Sequence, residues 1–285
     1  MSVSASIVVH NTPRDQLEKA LKCLLDSEVD TIYIMDNGNE PVTYQLPESH
    51  RIIYSKIANR GFGNGHNIAI GKRLENTSSE NLDEEFHLVM NADVRWEGDV
   101  ITKLKNYLLR HRDTALVMPK VFYPDGDLQY ACRMLPTPAD LFMKRFLPGR
   151  LAEKRMERYL LAVHDHDKEL NVPYLLGSFM FFRLSDLKQC GGFDERFFMY
   201  PEDIDITRRL HKTRKTIYWP GASIIHDHGA ASRKSIKMFR IHLYNMIRYF
   251  NKWGWWSDSE RKEFNKRLMR EIVYVPKWER PKGRG

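Results

Sequence analysis

Cysteine is scarce in this 285-residue chain: Cys23, Cys132 and Cys190 are odd in number, far apart and outside any CxxC spacing. That pattern excludes a disulfide framework and a thiolate metal site, and it predicts three buried small hydrophobes. Long hydrophobic runs are missing too. No stretch approaches the roughly 18 uninterrupted apolar residues of a spanning helix. Met1-Ser-Val-Ser-Ala-Ser lacks the basic start and apolar centre of a signal peptide, so the expected location is the cytoplasm. No internal repeat or low-complexity tract is present. Two phosphate-binding patterns also fail. Gly61-Phe-Gly63-Asn-Gly65-His66 has His66 where a dinucleotide-binding GxGxxG needs its third glycine, and Gly71-Lys72-Arg73 has Arg73 where a P-loop needs Ser or Thr.

What is present suffices for a full core: 42% of residues are hydrophobic and 12% aromatic, which suits one large domain or one domain with an appendage. The net charge of +8 is unevenly placed. Residues 233–285 carry 15 Lys and Arg against 5 Asp and Glu, a net of +10, which leaves 30 against 32, or -2, for residues 1–232. A basic tail beside a nearly neutral body fits attachment to an anionic surface better than a body wrapped by nucleic acid.

The first 120 residues alternate strands with helices. The apolar run Ala5-Ser-Ile-Val-Val-His10 ends in Asn11-Thr12-Pro13, and Leu17, Ala20, Leu21, Leu24 and Leu25 follow at helical spacing. Strands at 31–35 and 51–54 stop at Asp36-Asn37-Gly38 and at the glycine-rich loop 59–65. A helix over about 66–74 follows the loop, and the strand at 86–90 runs into Asn91-Ala92-Asp93. This order predicts an α/β fold with a mostly parallel sheet flanked by helices, and a ligand beyond the carboxyl ends of the strands. Beyond 120 the pattern is less regular. A strand at 115–121, a hairpin around Pro124-Asp-Gly126, a charged and partly helical segment at 136–167, and strands at 172–176 and 180–183 are expected. A short helix over 185–190 is stopped by Gly191-Gly192, a helix spans about 204–212, and a last strand ends in Ile224-Ile225-His226-Asp227-His228.

Several polar residues stand at strand ends. Asp93, at the end of an apolar strand and before a new helix, can offer a hard oxygen to Mg2+ or Mn2+, although Asn-x-Asp is also a common turn. Asp203 opens a helix and reads either as an N-cap or as a general base. Asp194 and Asp205 read as solvated or capping residues. His226 and His228, two apart on a strand, share a face, where one of them could ligate a cation or touch a phosphate; a hydrogen-bonded turn is the alternative. His164 and His166 lie in a charged stretch and read as surface residues.

Taken together, these segments resemble family 2 glycosyltransferases of the GT-A fold, in particular their bacterial rhamnosyltransferase-like branch, over residues 6–250. Asn59-Arg-Gly-Phe-Gly-Asn-Gly-His-Asn67 looks like that branch's NxGfgxGxN loop, and Asn91-Ala-Asp93 like a variant of the metal-binding DxD. Gly191-Gly-Phe-Asp-Glu-Arg-Phe-Phe-Met-Tyr-Pro-Glu-Asp203 is close to GGFDExFFxYxED. The resemblance implies an inverting, metal-dependent transfer of one sugar from a dTDP- or UDP-sugar, with L-rhamnose from dTDP-L-rhamnose favoured over a UDP-hexose or UDP-galactofuranose. The implied acceptor is a saccharide or polyprenyl-diphosphate-linked saccharide in bacterial surface polysaccharide synthesis.

The family's motif also implies roles. His10-Asn11, where the family often has Tyr-Asn, Asp36, Asn59, Arg60, Gly61, Asn67, Asn91, Ala92 and Asp93 would hold the nucleotide sugar. Gly177, Ser178, Tyr200 and Glu202 would meet the acceptor, with Glu202 and Asp203 as the catalytic pair. Asp93 with His226 or His228 would hold Mg2+ or Mn2+. The catalytic domain would span 1–232, with a nucleotide-binding half to about 120 and an acceptor half from about 121 to 232, followed by a basic helical extension at 233–285. Processive synthesis is not expected, because no QxxRW motif is present.

In the tail, Met238, Ile241, His242, Asn245, Met246, Tyr249 and Phe250 stand among Arg240, Arg248 and Lys252, before Trp253-Gly-Trp-Trp256. Such a helix either lies in an anionic membrane interface on the inner face of the cell membrane or packs on the catalytic domain. A nucleic-acid-binding module, the rival suggested by the basic tail, leaves the Glu202-Asp203 segment and Asn91-Ala-Asp93 unexplained. Nucleic acid is therefore not an expected partner.

Overall fold

The computed structural model describes residues 1–42, 44–140, 150–227 and 236–284. Strands β1 (Val3–Val9), β2 (Thr31–Asp36), β3 (Ile52–Lys56) and β4 (Phe86–Met90) form a parallel block in the order β3-β2-β1-β4. The chain builds outward from β1 to β3 and then returns to the other side of β1. That reversal opens a crevice at the carboxyl ends of β1 and β4.

Helices α1 (Arg14–Leu25) and α2 (Phe62–Glu75) cover the block, α1 with Leu17, Ala20, Leu21 and Leu24 on its buried face. Covered on both faces, β1 has no water for its two serines, and histidines satisfy them. Ser4 Oγ lies 2.8 Å from His87 Nδ1, and Ser6 Oγ lies 2.7 Å from His66 Nδ1 and 2.8 Å from His87 Nε2. Burial pushes His87 down to about 3 and holds His66 well below its usual value, so both rings are neutral.

The second half mixes directions. Asp93 is followed by the short strand β5 (Val94–Arg95) rather than directly by a helix; α3 (Val100–Arg110) comes later. β6 (Thr114–Phe122) and β7 (Leu128–Gln129) make the expected hairpin around Pro124-Asp-Gly126. β8 (Cys132–Arg133), α4 (Arg150–Tyr159), β9 (Leu170–Asn171) and β10 (Tyr174–Leu175) are short. β10 is all that remains of the strand expected at 172–176. β11 (Phe179–Arg183) inserts antiparallel between β4 and β6 and leads into α5 (Leu184–Gln189), α6 (Pro201–His211) and β12 (Lys215–His226). β12 runs parallel to β6 and antiparallel to β5.

The chain continues through α7 (Ile236–Trp253) and α8 (Ser259–Glu271) to β13 (Gly283–Arg284), which pairs with β7 at the sheet edge. α7 is docked on the body. Its Met246, Tyr249 and Phe250 pack with Leu135, Phe197, Ile204 and Phe264 in a second core. α7 also exposes Ile236, Phe239, Tyr244 and Ile247 to solvent. No helix among the described residues is long and apolar enough to cross a membrane.

Burial corrects several sequence expectations. His164 and His166 are buried rather than on the surface, because the C-terminal segment folds over them. The amide of Val273 donates to His164 Nδ1, and His166 Nε2 lies 3.1 Å from the Leu161 carbonyl. Asp205 is fully buried rather than solvated, while the partly buried Asp194 caps its turn by accepting from the Arg196 amide, and Lys252 Nζ bridges Asp194 and Asp205 at 2.7 and 2.6 Å. Asp205 also accepts from Trp253 Nε1 and Arg209. Only Cys132 is fully buried; Cys23 and Cys190 are half-buried, each donating its thiol to a backbone carbonyl.

Candidate active site

The carboxyl ends of β1, β2 and β4 carry most of the residues expected to bind a nucleotide. After β1, His10 and Asn11 are exposed, and Asn11 turns the chain with a positive φ of 52°. Asp36 closes β2 and is almost fully buried. Its carboxylate accepts from the Gly38 amide at 2.9 Å, the Val42 amide at 3.0 Å, Tyr54 Oη at 2.5 Å and Lys56 Nζ at 3.4 Å. Burial alone would raise its pKa, but these donors outweigh it and hold Asp36 below its usual value. Asp36 thus organises the loop after β2, and a base edge would have to replace one of its donors.

The glycine-rich loop ties this side of the crevice to the opposite wall. α2 starts at Phe62, four residues earlier than expected, because Gly61 serves as its N-cap with φ 102°. The Phe62 amide donates to the Phe198 carbonyl at 3.0 Å, and a Cβ on Gly61 would lie 2.2 Å from that oxygen. Asn67 supports the same junction: its Oδ1 accepts from the Phe193 amide and its Nδ2 donates to the Phe193 carbonyl and to Glu195. Asn59 accepts from the Gly61 amide, and Arg60 extends into solvent beside it.

Asn91, Ala92 and Asp93 follow β4. The Asn91 amide donates to the Ser178 carbonyl at 3.0 Å, and the neighbouring Gly177 amide donates to Asp203 Oδ2 at 3.0 Å. Two hydrogen bonds and a few covalent links therefore connect the segments bearing Asp93 and Asp203 at the carboxyl end of β4. Asp93 also faces His226, with Oδ1 3.3 Å from Nε2, and the Asp227 amide donates to the Asp93 carbonyl. Octahedral ligands at about 2.0–2.2 Å from a cation stand about 3 Å apart along an edge, so this carboxylate and imidazole fit a divalent ion between them. Asp93 Oδ1 has no hydrogen-bond partner among the described residues, which also suits that reading. Among the described residues no cluster of three His, Cys, Asp or Glu forms. Two protein ligands leave the remaining positions to water and phosphate oxygens. His228 lies outside the described residues.

On the opposite wall, α6 begins at Pro201 rather than at about 204, so Asp203 sits in the first turn and is not the N-cap. Tyr200 holds that position with φ 94°. Glu202 and Asp203 are both nearly buried. Burial, then repulsion from Asp203, pushes Glu202 well above the usual carboxylate range. Burial does the same to Asp203, only partly offset by the amides of Gly177 and Ile204 and by the Arg133 guanidinium. Neighbouring carboxylates with raised affinity for protons can exchange a proton with a bound hydroxyl near neutral pH. Ser178 Oγ and Glu202 Oε2 are buried without hydrogen-bond partners among the described residues, as groups facing a ligand would be.

The sequence model for glycosyl transferase family 2 matches residues 4–191. The chain belongs to that family. It is 27% identical over 277 residues to N-acetylglucosaminyl-diphospho-decaprenol L-rhamnosyltransferase of Mycobacterium tuberculosis, covering 90% of this chain and 87% of the relative. To rhamnosyltransferase WbbL of Escherichia coli K12 it is 27% identical over 249 residues, covering 85% and 90%. Among solved structures, GalNAc-T7 with UDP, GalNAc and Mn2+ superposes with a TM-score of 0.61 at 14% identity, over 95% of this chain and 57% of that one. TarS of S. aureus superposes with a TM-score of 0.57 at 13% identity, over 94% of this chain and 43% of that one. The architecture is that of GT-A glycosyltransferases.

Family membership does not point to several residues that the fold brings to the site. Gln129 accepts from His226 Nδ1 at 2.8 Å, and Tyr54 and Lys56 bind Asp36. Arg133 stacks over Tyr174 close enough to Asp203 to act on its charge. No spacing marks them, since each partner arrives from a different element, as Tyr54 and Lys56 do from the neighbouring strand β3. A separate cavity of about 360 Å³ between α1 and β5, lined by Lys19, Lys22, Arg95 and Trp96, contains none of the expected site residues.

Proposed function

We propose that this glycosyltransferase moves a single L-rhamnosyl unit from dTDP-L-rhamnose, with inversion, onto a saccharide or polyprenyl-diphosphate-linked saccharide during bacterial surface polysaccharide synthesis. The observation that carries the reading is the linkage of Asp93 to Asp203 through Asn91–Ser178 and Gly177–Asp203. The names of the two rhamnosyltransferase relatives support the sugar, and one of them supports a lipid-linked acceptor.

Asp203 accepts the proton of the acceptor hydroxyl as its oxygen forms a bond to the anomeric carbon. The bond from that carbon to the diphosphate oxygen breaks on the opposite face, and its electron pair leaves with the nucleoside diphosphate. Glu202 holds a neighbouring acceptor hydroxyl, while Gly177, Ser178 and Tyr200 bound the space for the sugars. His10, Asn11, Asp36, Asn59, Arg60 and Gly61 enclose the nucleotide, and Asn67 braces the loop. Asp93 and His226 would hold Mg2+ or Mn2+, which would supply positive charge against the departing diphosphate.

Asp203→Asn is expected to retain donor binding and to lose about 10²- to 10⁴-fold in turnover, the usual contribution of a general base; near-normal turnover would refute the assignment. Thermal stabilisation by a panel of nucleotide sugars checks the donor. Strongest stabilisation by a UDP-hexose or UDP-galactofuranose would replace dTDP-L-rhamnose. The exposed Phe239, Tyr244 and Ile247, together with Arg240 and Arg248, support a peripheral place on an anionic membrane. Flotation with anionic but not neutral liposomes is expected, and equal behaviour with both would remove the membrane from the proposal.

A further inference from the structure

We propose that Gln129 is a positioning residue that fixes the tautomer and direction of His226 toward the cation, and that the C-terminal strand β13 holds Gln129 in place. The inference rests on the reading of Asp93 and His226 as the cation pair. Gln129 Oε1 can only accept a hydrogen bond, so the 2.8 Å contact with His226 puts the ring proton on Nδ1. In the neutral ring Nε2 is then the lone-pair atom, and Nε2 is the atom that faces Asp93. A ring bound this way keeps its coordinating nitrogen aimed and basic, as partners behind metal-ligating histidines generally do.

Gln129 is itself buried and lies on a strand of only two residues, β7. Such a strand is held by its neighbours. β6 pairs with one edge of it at Leu128. On the other edge the Leu128 amide donates to the Lys282 carbonyl at 2.8 Å and the Tyr130 amide to the Arg284 carbonyl at 3.0 Å. Arg284 adds contacts to Asp125 and Asp127 of the hairpin turn and lies over the Tyr123 ring. β13 comes close because Gly283 has no side chain: a Cβ there would sit 2.7 Å from the Tyr130 ring and 3.0 Å from the Leu128 carbonyl. Residues more than 150 positions apart in sequence thus converge behind one imidazole.

The test is Mn2+ titration followed by electron paramagnetic resonance, with dTDP and with UDP in parallel, on the full chain and on variants whose thermal melts show a folded protein. His226→Ala and Gln129→Leu are each expected to weaken Mn2+ about 10- to 100-fold. Gln129→Glu, which keeps an acceptor on Nδ1, should bind Mn2+ at least as well as the wild type, and Gly283→Val should shift affinity in the same direction as Gln129→Leu but less. ¹⁵N-imidazole spectra without metal provide a second readout. His226 should be the Nδ1-protonated tautomer in the wild type and a mixture in Gln129→Leu. If His226→Ala weakens Mn2+ while Gln129→Leu does not, or if the tautomer is unchanged in Gln129→Leu, the positioning role is overturned. If His226→Ala binds Mn2+ as the wild type does, the cation reading itself falls, and the proposal with it.

Discussion

Glu202 and Asp203 occupy adjacent positions in the first turn of α6, where the helix N-terminus favours negative charge but burial opposes it. Burial wins for both, and repulsion between them raises Glu202 further. A base must be unprotonated to accept a proton, so kcat/KM should fall on the acid side with a limb displaced from the ordinary carboxylate range toward neutrality. Burial rather than Glu202 raises Asp203, and Glu202 holds its proton more tightly, so it stays neutral while Asp203 ionises and Glu202→Gln should leave that limb in place. The check is a pH profile of kcat/KM for both proteins, and an acid limb moved to lower pH in Glu202→Gln would show that a charge on Glu202, not burial, sets Asp203. At this scale the sequence was legible where chemistry sits in a contiguous motif, as at Asn91-Ala-Asp93 and Glu202-Asp203. It was silent where a partner comes from another element, as with Gln129 behind His226 or Lys252 between Asp194 and Asp205.

Elements are joined at the crevice by a backbone contact, and Gly61 makes it possible. At φ 102° it caps α2, and its missing side chain lets the chain touch the Phe198 carbonyl in the segment leading to Asp203. Gly61→Ala adds a left-handed backbone penalty of about 1–2 kcal/mol and a clash with backbone, which cannot yield as a flexible side chain would. Loss of most donor affinity by calorimetry, with a lower denaturation midpoint, is the expected result; wild-type affinity would show that the loop does not border the nucleotide. The same glycine explains why α2 was read four residues short: a cap that turns on positive φ and a distant carbonyl has no periodic signature. β1, β2 and β4 were legible because a strand buried on both faces is a nearly continuous apolar run, and β3, at the sheet edge, by its Ile52-Ile53-Tyr54 start. β9 was not, and β10 was read only as part of a longer strand at 172–176, since two-residue strands exist only through their partners.

Across the whole molecule, the basic tail is attached to the catalytic body by a buried ion pair as well as by apolar packing. Arg208 of α6 is almost fully buried and donates to both oxygens of Asp258 at 2.8 and 2.6 Å. Asp258 is at the same time the N-cap of α8, accepting from the Arg261 amide at 2.9 Å. Replacing such a pair by apolar residues can be nearly neutral, whereas removing one partner strands a charge in a dry interior. Glu260 contacts Arg208 from a more exposed position and offers only partial relief. Asp258→Ala is therefore expected to destabilise the protein by about 3–5 kcal/mol, with about 1 kcal/mol more from the lost cap. Because α6 also carries Asp203, the damage should reach turnover before the protein melts. The measurements are denaturant unfolding and kcat at one temperature, in low and high salt. A pair screened from solvent should give the same loss in both salts. A destabilisation below about 1 kcal/mol, or one that vanishes in high salt, would mean that Arg208 is solvated and that the tail is not anchored to α6 in this way.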